Sequence, residues 1–506
     1  MTKERKNLLT GAFIVIVVYI ATLWQRPLFY PDEFICAVRT MGAISPQNLA
    51  AVFNGFFGRA LEFNIVSVRL LPALSAIICA FCVRIIGKKE YGENFGNLAA
   101  VIFLSTLLVF AYGTACAVEM INAMFLCTAL TAFYCAFELD ESLPGYFRYL
   151  ISAAGGSALG CFAASMGADS LVYPFTAIVL YICFVQPAHA RSVIATALIT
   201  GCAVVFIWLL DHRMSLFSKY GSLKLQSFLY FLAGTLPWGL FLPQAAAGAI
   251  RNRKTFFRRK AVIFSSAVIV STVLVFPVAG VLPAAVMASP FAALLFAFAL
   301  KESENDEKFL KISEHTLNAV LIGLFLFAAF TVVSCCLPSV PKKWKLYYSK
   351  AELAGFAVAA AVAVLQFKIA VAEKGTNKVK KLLHIATGMA ALMILLPGAI
   401  PEKIKLDLAP EEFYRSSAGR YMAPDAVIYA DWNSFYAAKW VFPKHQVIRI
   451  TKKNARTIAE RIEKGKNTAI FSTSSKFTKL LPRKKILFSR GRWRIVLCQD
   501  KSQLAD

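Results

Sequence analysis

The chain has 506 residues, of which 58% are hydrophobic and only 17% charged, with a mean hydropathy of +0.60, a composition that excludes an ordinary water-soluble globular protein. Lysine and arginine number 55 against 29 aspartates and glutamates, for a formal net charge of +26. That excess points to anionic membrane lipids or anionic lipid-linked substrates, and with no nucleic-acid-binding module in the sequence, nucleic acid is not an expected partner.

In chain order, MTKERKN precedes an apolar run from Leu8 to Leu23. No small-residue cleavage pattern follows it, so it reads as an uncleaved first membrane span. Next comes WQRPLFYPDEFICAVRTM, Trp24 to Met41. After Pro31, the residues Phe34, Ile35, Val38 and Met41 have helical spacing. Asp32 is available as N-cap and the pair Asp32–Glu33 stands at the positive end of the helix dipole. Two carboxylates are thereby expected at a membrane surface.

Apolar runs of about 20 residues then recur, each long enough to cross a bilayer. They are expected at 8–24, 65–86, 96–112, 115–137, 150–165, 169–186, 192–210, 228–248, 261–276, 281–300, 315–337, 351–372 and 382–400, about thirteen spans. Four basic clusters fall on one side of that arrangement: Lys3, Arg5 and Lys6; Arg84, Lys88 and Lys89; Arg251 through Lys260; and Lys374 through Lys381. The positive-inside rule puts that side, and the N-terminus, in the cytoplasm. The odd number of spans then puts residues 401–506 outside. Lys342, Lys343 and Lys345 fall outside too, against the trend. Most of the 12 cysteines lie inside apolar runs, Cys79 and Cys82 among them, and read as small hydrophobes.

This topology gathers ionisable groups on the outer face: Asp32, Glu33, Glu119, Asp169, Asp211 and His212. An ionisable side chain at the centre of a span costs roughly 2.5–3.5 kcal/mol on insertion scales, so Glu119, just inside the fourth span, is a functional candidate by default. Past Ile400 the composition shifts. Five apolar segments, AVIYADW, QVIRI, NTAIFST, KKILF and WRIVLC, with the helical stretch NARTIAERIEKG, predict a small α/β domain over 401–506. Residues 1–400 form the membrane domain, with outer-loop interfacial helices at 32–60.

The order of these segments resembles the polyprenyl-phosphate-sugar glycosyltransferases, which include the lipid A aminoarabinose transferases and, more distantly, the protein O-mannosyltransferases, and which share the GT-C fold. PDEFICAVRTM resembles the family's first outer-loop motif, with Arg39 as its arginine. EFNIVSVRLLPALSA is similar to the entry into the second span, with Arg69 at its arginine. ACAVEMINAMF resembles the fourth span, with Glu119 where aspartate is usual. LDHRMSLF, GTLPWGLFLP and VLPAAVMASPFAALL are similar to later signatures. The departures are specific. The Glu-Lys-Pro-Pro segment that supplies a metal ligand and a phosphate-binding lysine is missing, a Lys-Gly pair is Met166-Gly167, and the arginine after the histidine is Ser215, with Arg213 nearby.

The resemblance implies a mainly α, polytopic bacterial inner-membrane enzyme that moves a sugar from a polyprenyl-phosphate donor to a lipid A-like, glycan or protein acceptor. Asp32 is its catalytic base, and Glu33 orients the acceptor or the sugar. Glu119 holds sugar hydroxyls, with Arg59, Asp211, His212, Arg213, Lys342, Lys343 and Lys345 as further substrate-binding candidates. No cofactor is certain; a divalent metal stays open, with His212 as its candidate ligand. A transporter or flippase of lipid-linked sugars, and a catalytically silent sugar-lipid binding protein, stay open as alternatives.

The orientation is tested by labelling. A membrane-impermeant thiol reagent should reach an engineered cysteine at Ser474 in intact spheroplasts and miss one at Thr255. The opposite pattern inverts the topology.

Overall fold

The structure, a computed structural model, describes residues 23, 32–41, 49–138, 144–187, 189–211, 234–235, 238–279, 281–302, 361, 364–365, 368–369, 410–417, 422–451, 454, 457–458, 460, 467–472, 486–490 and 493–498. Apart from Leu23, the expected spans at 8–24, 315–337 and 382–400 lie outside the described residues, as do most of the one at 351–372 and part of the one at 228–248. By contact the chain falls into two compact units. One is drawn from Met1–Leu23, Pro46–Val332 and Tyr348–Gly398, the other from Trp24–Ser45, Val333–Tyr347 and Ala399–Asp506.

The described helices are α1 (Asp32–Thr40), α2 (Leu49–Ala60), α3 (Ile65–Tyr91), α4 (Glu93–Leu104), α5 (Leu107–Gly113), α6 (Val118–Phe137), α7 (Gly145–Met166), α8 (Val172–Val185), α9 (Ala190–Asp211), α10 (Leu242–Arg251), α11 (Lys260–Ala279) and α12 (Val281–Glu302). All but α1 belong to the first unit. Five stretches, Ile65–Tyr91, Val118–Phe137, Gly145–Met166, Ala190–Ile207 and Pro283–Lys301, are long and apolar enough to cross a membrane. The predicted span at 96–112 is built from two helices, α4 and α5, bent by 69° at a break between them. The cause is local. Ser105 and Thr106 turn their hydroxyls back on the carbonyls of Val101 and Ile102, at 2.6 and 2.9 Å, which competes with the helical ladder. The Trp238 Nε1–H donates to Ser105 Oγ at 3.0 Å and fills the break.

The helices pack through small residues and aromatic rings. The pairing of α7 with α9 is a small-residue contact: a Cβ at Gly156 would lie 2.1 Å from Thr200 Oγ1 and 2.2 Å from the Ala197 carbonyl, and one at Gly160 would lie 2.7 Å from Val204 Cβ. Gly156 and Gly160 form the GxxxG spacing that lets membrane helices approach closely. On its far side α9 exposes Ile199, Phe206 and Ile207, a surface suited to lipid tails.

Two of the basic clusters meet at one end of the bundle. The Glu138 carboxylate, just past α6, accepts from Lys260 Nζ at 2.7 Å and from Tyr181 OH at 3.0 Å, and Lys89 Nζ donates to the Glu138 carbonyl. Glu90 accepts from Tyr134 OH at 2.6 Å and from the Ala261 N–H at 3.2 Å. Arg259 stacks over Tyr91 at 3.9 Å. Beneath this layer Phe264 packs between Tyr134 and Tyr181, with centroids 5.2 and 5.1 Å away. The residues after the second and eighth expected spans thus share one face, as their charge predicts.

In the second unit all five predicted strands form: β1 (Val427–Ala430), β2 (Val447–Arg449), β3 (Thr468–Ser472), β4 (Ile486–Arg490) and β5 (Trp493–Cys498). They make one sheet of order β2-β1-β3-β5-β4, parallel across β2, β1 and β3 and antiparallel beyond. Every residue of β1 is buried, as expected for a central strand covered on both faces. Helices α13 (Glu411–Ser417) and α14 (Trp432–Val441) lie against each other, and α14 also packs on β1, β2 and β3. Tyr414 of α13 packs on Phe471 and Trp493, at 4.6 and 5.9 Å between centroids.

The close α7–α9 contact gives a stability test. Gly156→Val should lower stability by about 1–3 kcal/mol through overpacking, seen as a lower midpoint of thermal unfolding in detergent. Gly145→Ala, where a Cβ meets nothing within 4 Å, should stay within about 0.5 kcal/mol of the parent.

Candidate functional site

The first candidate residues, Asp32 and Glu33, open helix α1. Asp32 is the first helical residue, one place inside the N-cap position expected for it. The side chains from Glu33 on are buried almost all round: Glu33 is 6% exposed, and Phe34, Ala37 and Val38 are fully enclosed. Only Ile35 and Arg39 are half-buried. The helix is grouped with the C-terminal sheet in the second unit, and it packs on α14.

Glu119 lies in the other unit, in the first turn of α6. Glu138, in the basic layer described above, follows the last turn of the same helix. Nineteen residues at 1.5 Å rise place the two about 28 Å apart, so Glu119 occupies the opposite end of the bundle from that layer. Its helix begins after Ala117, which provides no side-chain cap, so the free N–H groups and the dipole favour a carboxylate in this turn.

Around the start of α6 the structure gathers polar groups from three more helices. Asn122, one turn below Glu119 and 2% exposed, accepts the Ser165 hydroxyl of α7 at 2.5 Å and donates to Met166 Sδ at 2.9 Å. Ser165 Oγ accepts the Ala50 N–H in the first turn of α2, at 3.3 Å. Farther along α2, Asn54 Nδ2 donates to the Val68 carbonyl of α3 at 3.0 Å and contacts Cys116 Sγ at 3.8 Å. Helix α2 is therefore latched to the ends of α3, α6 and α7. Arg59 stands exposed in its last turn.

The same node sets the turn that carries Asp169. Helix α7 ends at Gly167, whose φ of +108° is open to glycine and strained for other residues. Asp169 follows, half-buried, in the short turn Ala168–Leu171. In place of the lysine usual before this glycine, Met166 gives its thioether to Asn122. Arg69 is fully buried and donates to the Leu23 carbonyl at 3.2 Å, which ties the second expected span to the end of the first.

Asp211 is the last residue of α9, and His212, Arg213, Lys342, Lys343 and Lys345 lie outside the described residues. Among the described residues no group of three or more His, Cys, Asp or Glu side chains is placed to hold a metal ion. Asn54, Asn122 and Ser165 escape a search for charged residues. Their signal is weaker but present, since a polar amide inside an apolar run needs a partner in the bundle.

No protein-family model matches the sequence. Among curated proteins the chain is similar to the undecaprenyl phosphate-alpha-4-amino-4-deoxy-L-arabinose arabinosyl transferase of Serratia proteamaculans (strain 568), with 23% identity over 370 residues. The match takes in 65% of this chain and spans 62% of that relative's length. Among solved structures it is similar to ArnT from Cupriavidus metallidurans bound to undecaprenyl phosphate, at a TM-score of 0.77 and 14% identity over 97% of both chains. It is similar also to the apo state of that protein, at 0.76 and 13% over 98% of both. Agreement over nearly the whole of both chains gives this protein the GT-C fold, and with it a polytopic membrane architecture.

The node is tested by a double-mutant cycle. Asn122→Ala and Ser165→Ala should each destabilise by about 1–3 kcal/mol, because each leaves a buried polar partner unpaired. The double variant should cost clearly less than the sum, by about 1 kcal/mol or more. Simple additivity in thermal or denaturant unfolding would show that the two residues act apart.

Proposed function

We propose that this protein is a membrane glycosyltransferase that moves a sugar from a polyprenyl-phosphate donor to a lipid acceptor of the lipid A class, on the outer face of a bacterial inner membrane. One observation carries the proposal: the near-complete overlap of this fold with that of a transferase solved with undecaprenyl phosphate bound. The sequence relative, an arabinosyl transferase, points to the same chemistry. About thirteen spans, a cytoplasmic N-terminus and an external α/β domain complete the reading. The separation along α6 between Glu119 and the basic layer at Glu138, Lys89 and Lys260 supports it, since those cations belong on the cytoplasmic side.

In the proposed reaction Asp32 takes the proton of the acceptor hydroxyl. The freed oxygen attacks the anomeric carbon, and the bond from that carbon to the phosphate oxygen breaks. Its electron pair leaves with the polyprenyl phosphate. A sugar on a lipid phosphate already carries a good leaving group, so no nucleotide is needed. An acceptor that is itself a phosphate needs no base, and Asp32 then positions the sugar. Glu33 orients the acceptor, and Glu119 holds sugar hydroxyls at the polar end of α6. Arg59, Asp211 and His212 complete the proposed substrate contacts. Cations must meet the charge on the departing phosphate. Lys342, Lys343, Lys345 and Arg213 are proposed for that role, because the phosphate-binding lysines usual in the resembling family are missing.

A transporter of lipid-linked sugars also uses broken helices, which there line the substrate path. The break between α4 and α5 is instead closed by Trp238 against Ser105, which favours transfer over transport.

Asp32→Asn should abolish sugar transfer by the reconstituted protein, by 100-fold or more in kcat, while expression and membrane insertion stay normal. Wild-type product levels would remove the carboxylate from the mechanism. Replacing Lys342, Lys343 and Lys345 together by glutamine should raise KM for the polyprenyl-phosphate sugar far more than KM for the acceptor. Equal small changes for both, mimicked in the parent by added salt, would mean that these lysines only touch lipid headgroups.

A further inference from the structure

Helix α1 has nine residues, too few to hold together by itself, since isolated helices shorter than about 12–15 residues are marginal in water. Its stability must come from what encloses it. The helix is assigned by contact to the second unit with the C-terminal sheet, and it packs on α14, whose residues lie about 400 positions further along the chain.

That support is built to be rigid. Asp431 follows directly on β1, and its Oδ1 accepts the Ser434 N–H at 2.8 Å, capping α14. Its Oδ2 accepts the Ser472 hydroxyl at the end of β3, at 2.9 Å, and its own N–H donates to the Phe471 carbonyl at 3.1 Å. One buried carboxylate thus fixes the start of α14 to the two central parallel strands. Ala437 and Ala438 of the helix are fully enclosed.

We infer that the C-terminal α/β unit is the platform that holds the Asp32–Glu33 helix in its working position. The unit is then part of the transfer machinery, with α14 and Asp431 as positioning elements. The inference deepens the transferase reading and rests on the roles given there to Asp32 and Glu33. It has a consequence that an appended, independent domain would not have. Loosening the sheet releases α1, and with it the proposed base, while the membrane helices stay folded.

The experiment is amide hydrogen exchange read by mass spectrometry on the full-length protein in lipid nanodiscs, along a urea series, with transfer activity followed in parallel. Two variants loosen the platform: Ile428→Val in β1, and Asp431→Ala at the cap. Each should speed exchange in β1, β3 and α14 roughly two- to tenfold. The amides of α1 should speed up by the same factor, and those of α2 and α6 should not. Activity should vanish at the urea concentration at which α1 and the sheet lose protection together, and each variant should move that midpoint down. In the transition region the loss should fall on kcat with the donor KM unchanged, because only the fraction of docked molecules changes. Exchange in α1 that ignores both variants, or that follows α2 and α6, overturns the inference. So does a midpoint of activity that stays put while the sheet midpoint moves. Failure of the transferase reading shows separately, as an absence of transfer without urea, and the exchange pattern then still decides whether α1 depends on the sheet. Asp32→Asn is the complementary control: transfer should be lost while α1 protection keeps its parent value.

Discussion

Inside a hydrocarbon layer no water is available to satisfy a stray polar group, so every one must find a partner within the bundle. Many of the polar contacts of the described helices collect at the two ends of α6. At one end lie Glu119, Asn122 and Ser165 with the latch from α2; at the other lie Glu138, Tyr134 and Tyr181 with the lysines. Between them the helices meet through glycines and aromatic rings. The end that holds Glu119 is the one proposed for chemistry, and the lysines at the other end match the charge expected at a cytoplasmic surface.

The carboxylates proposed for transfer come from two different units. Glu119 stands in the first turn of α6, the helix that the Asn122–Ser165 bond ties to α7. Asp32 and Glu33 ride on a short helix that packs against α14. Membrane packing fixes a residue through close-packed neighbours along a whole span. A nine-residue helix draws its stability from the folded platform beneath it. The first arrangement suits a group held in a constant place, and the second a pair whose position depends on the folding of the C-terminal unit.

Much of this architecture was legible in the sequence, for physical reasons. Apolar runs of bilayer length found α3, α6, α7, α9 and α12, because a span has little freedom in composition. Short apolar segments separated by helical or turn stretches found all five strands of the sheet. The break between α4 and α5 was hidden, since Ser105 and Thr106 look like ordinary small residues until their hydroxyls turn back on the backbone. The docking of α1 was hidden for a stronger reason. Its own spacing announces only a buried stripe, and its partner stands about 400 residues away, where no local pattern reaches. Asn54, Asn122 and Ser165 were visible as polar interruptions but carried no charge to draw attention.

The account centres on transfer of a sugar from a lipid phosphate at the outer membrane face. Mass spectrometry of lipid A, glycolipids and envelope proteins from otherwise identical cells with and without the gene tests it most directly. The account predicts that one lipid species loses a sugar-sized mass in the deletion strain and regains it on complementation. Identical profiles in the two strains, with the protein shown to be expressed in the parent, would contradict it.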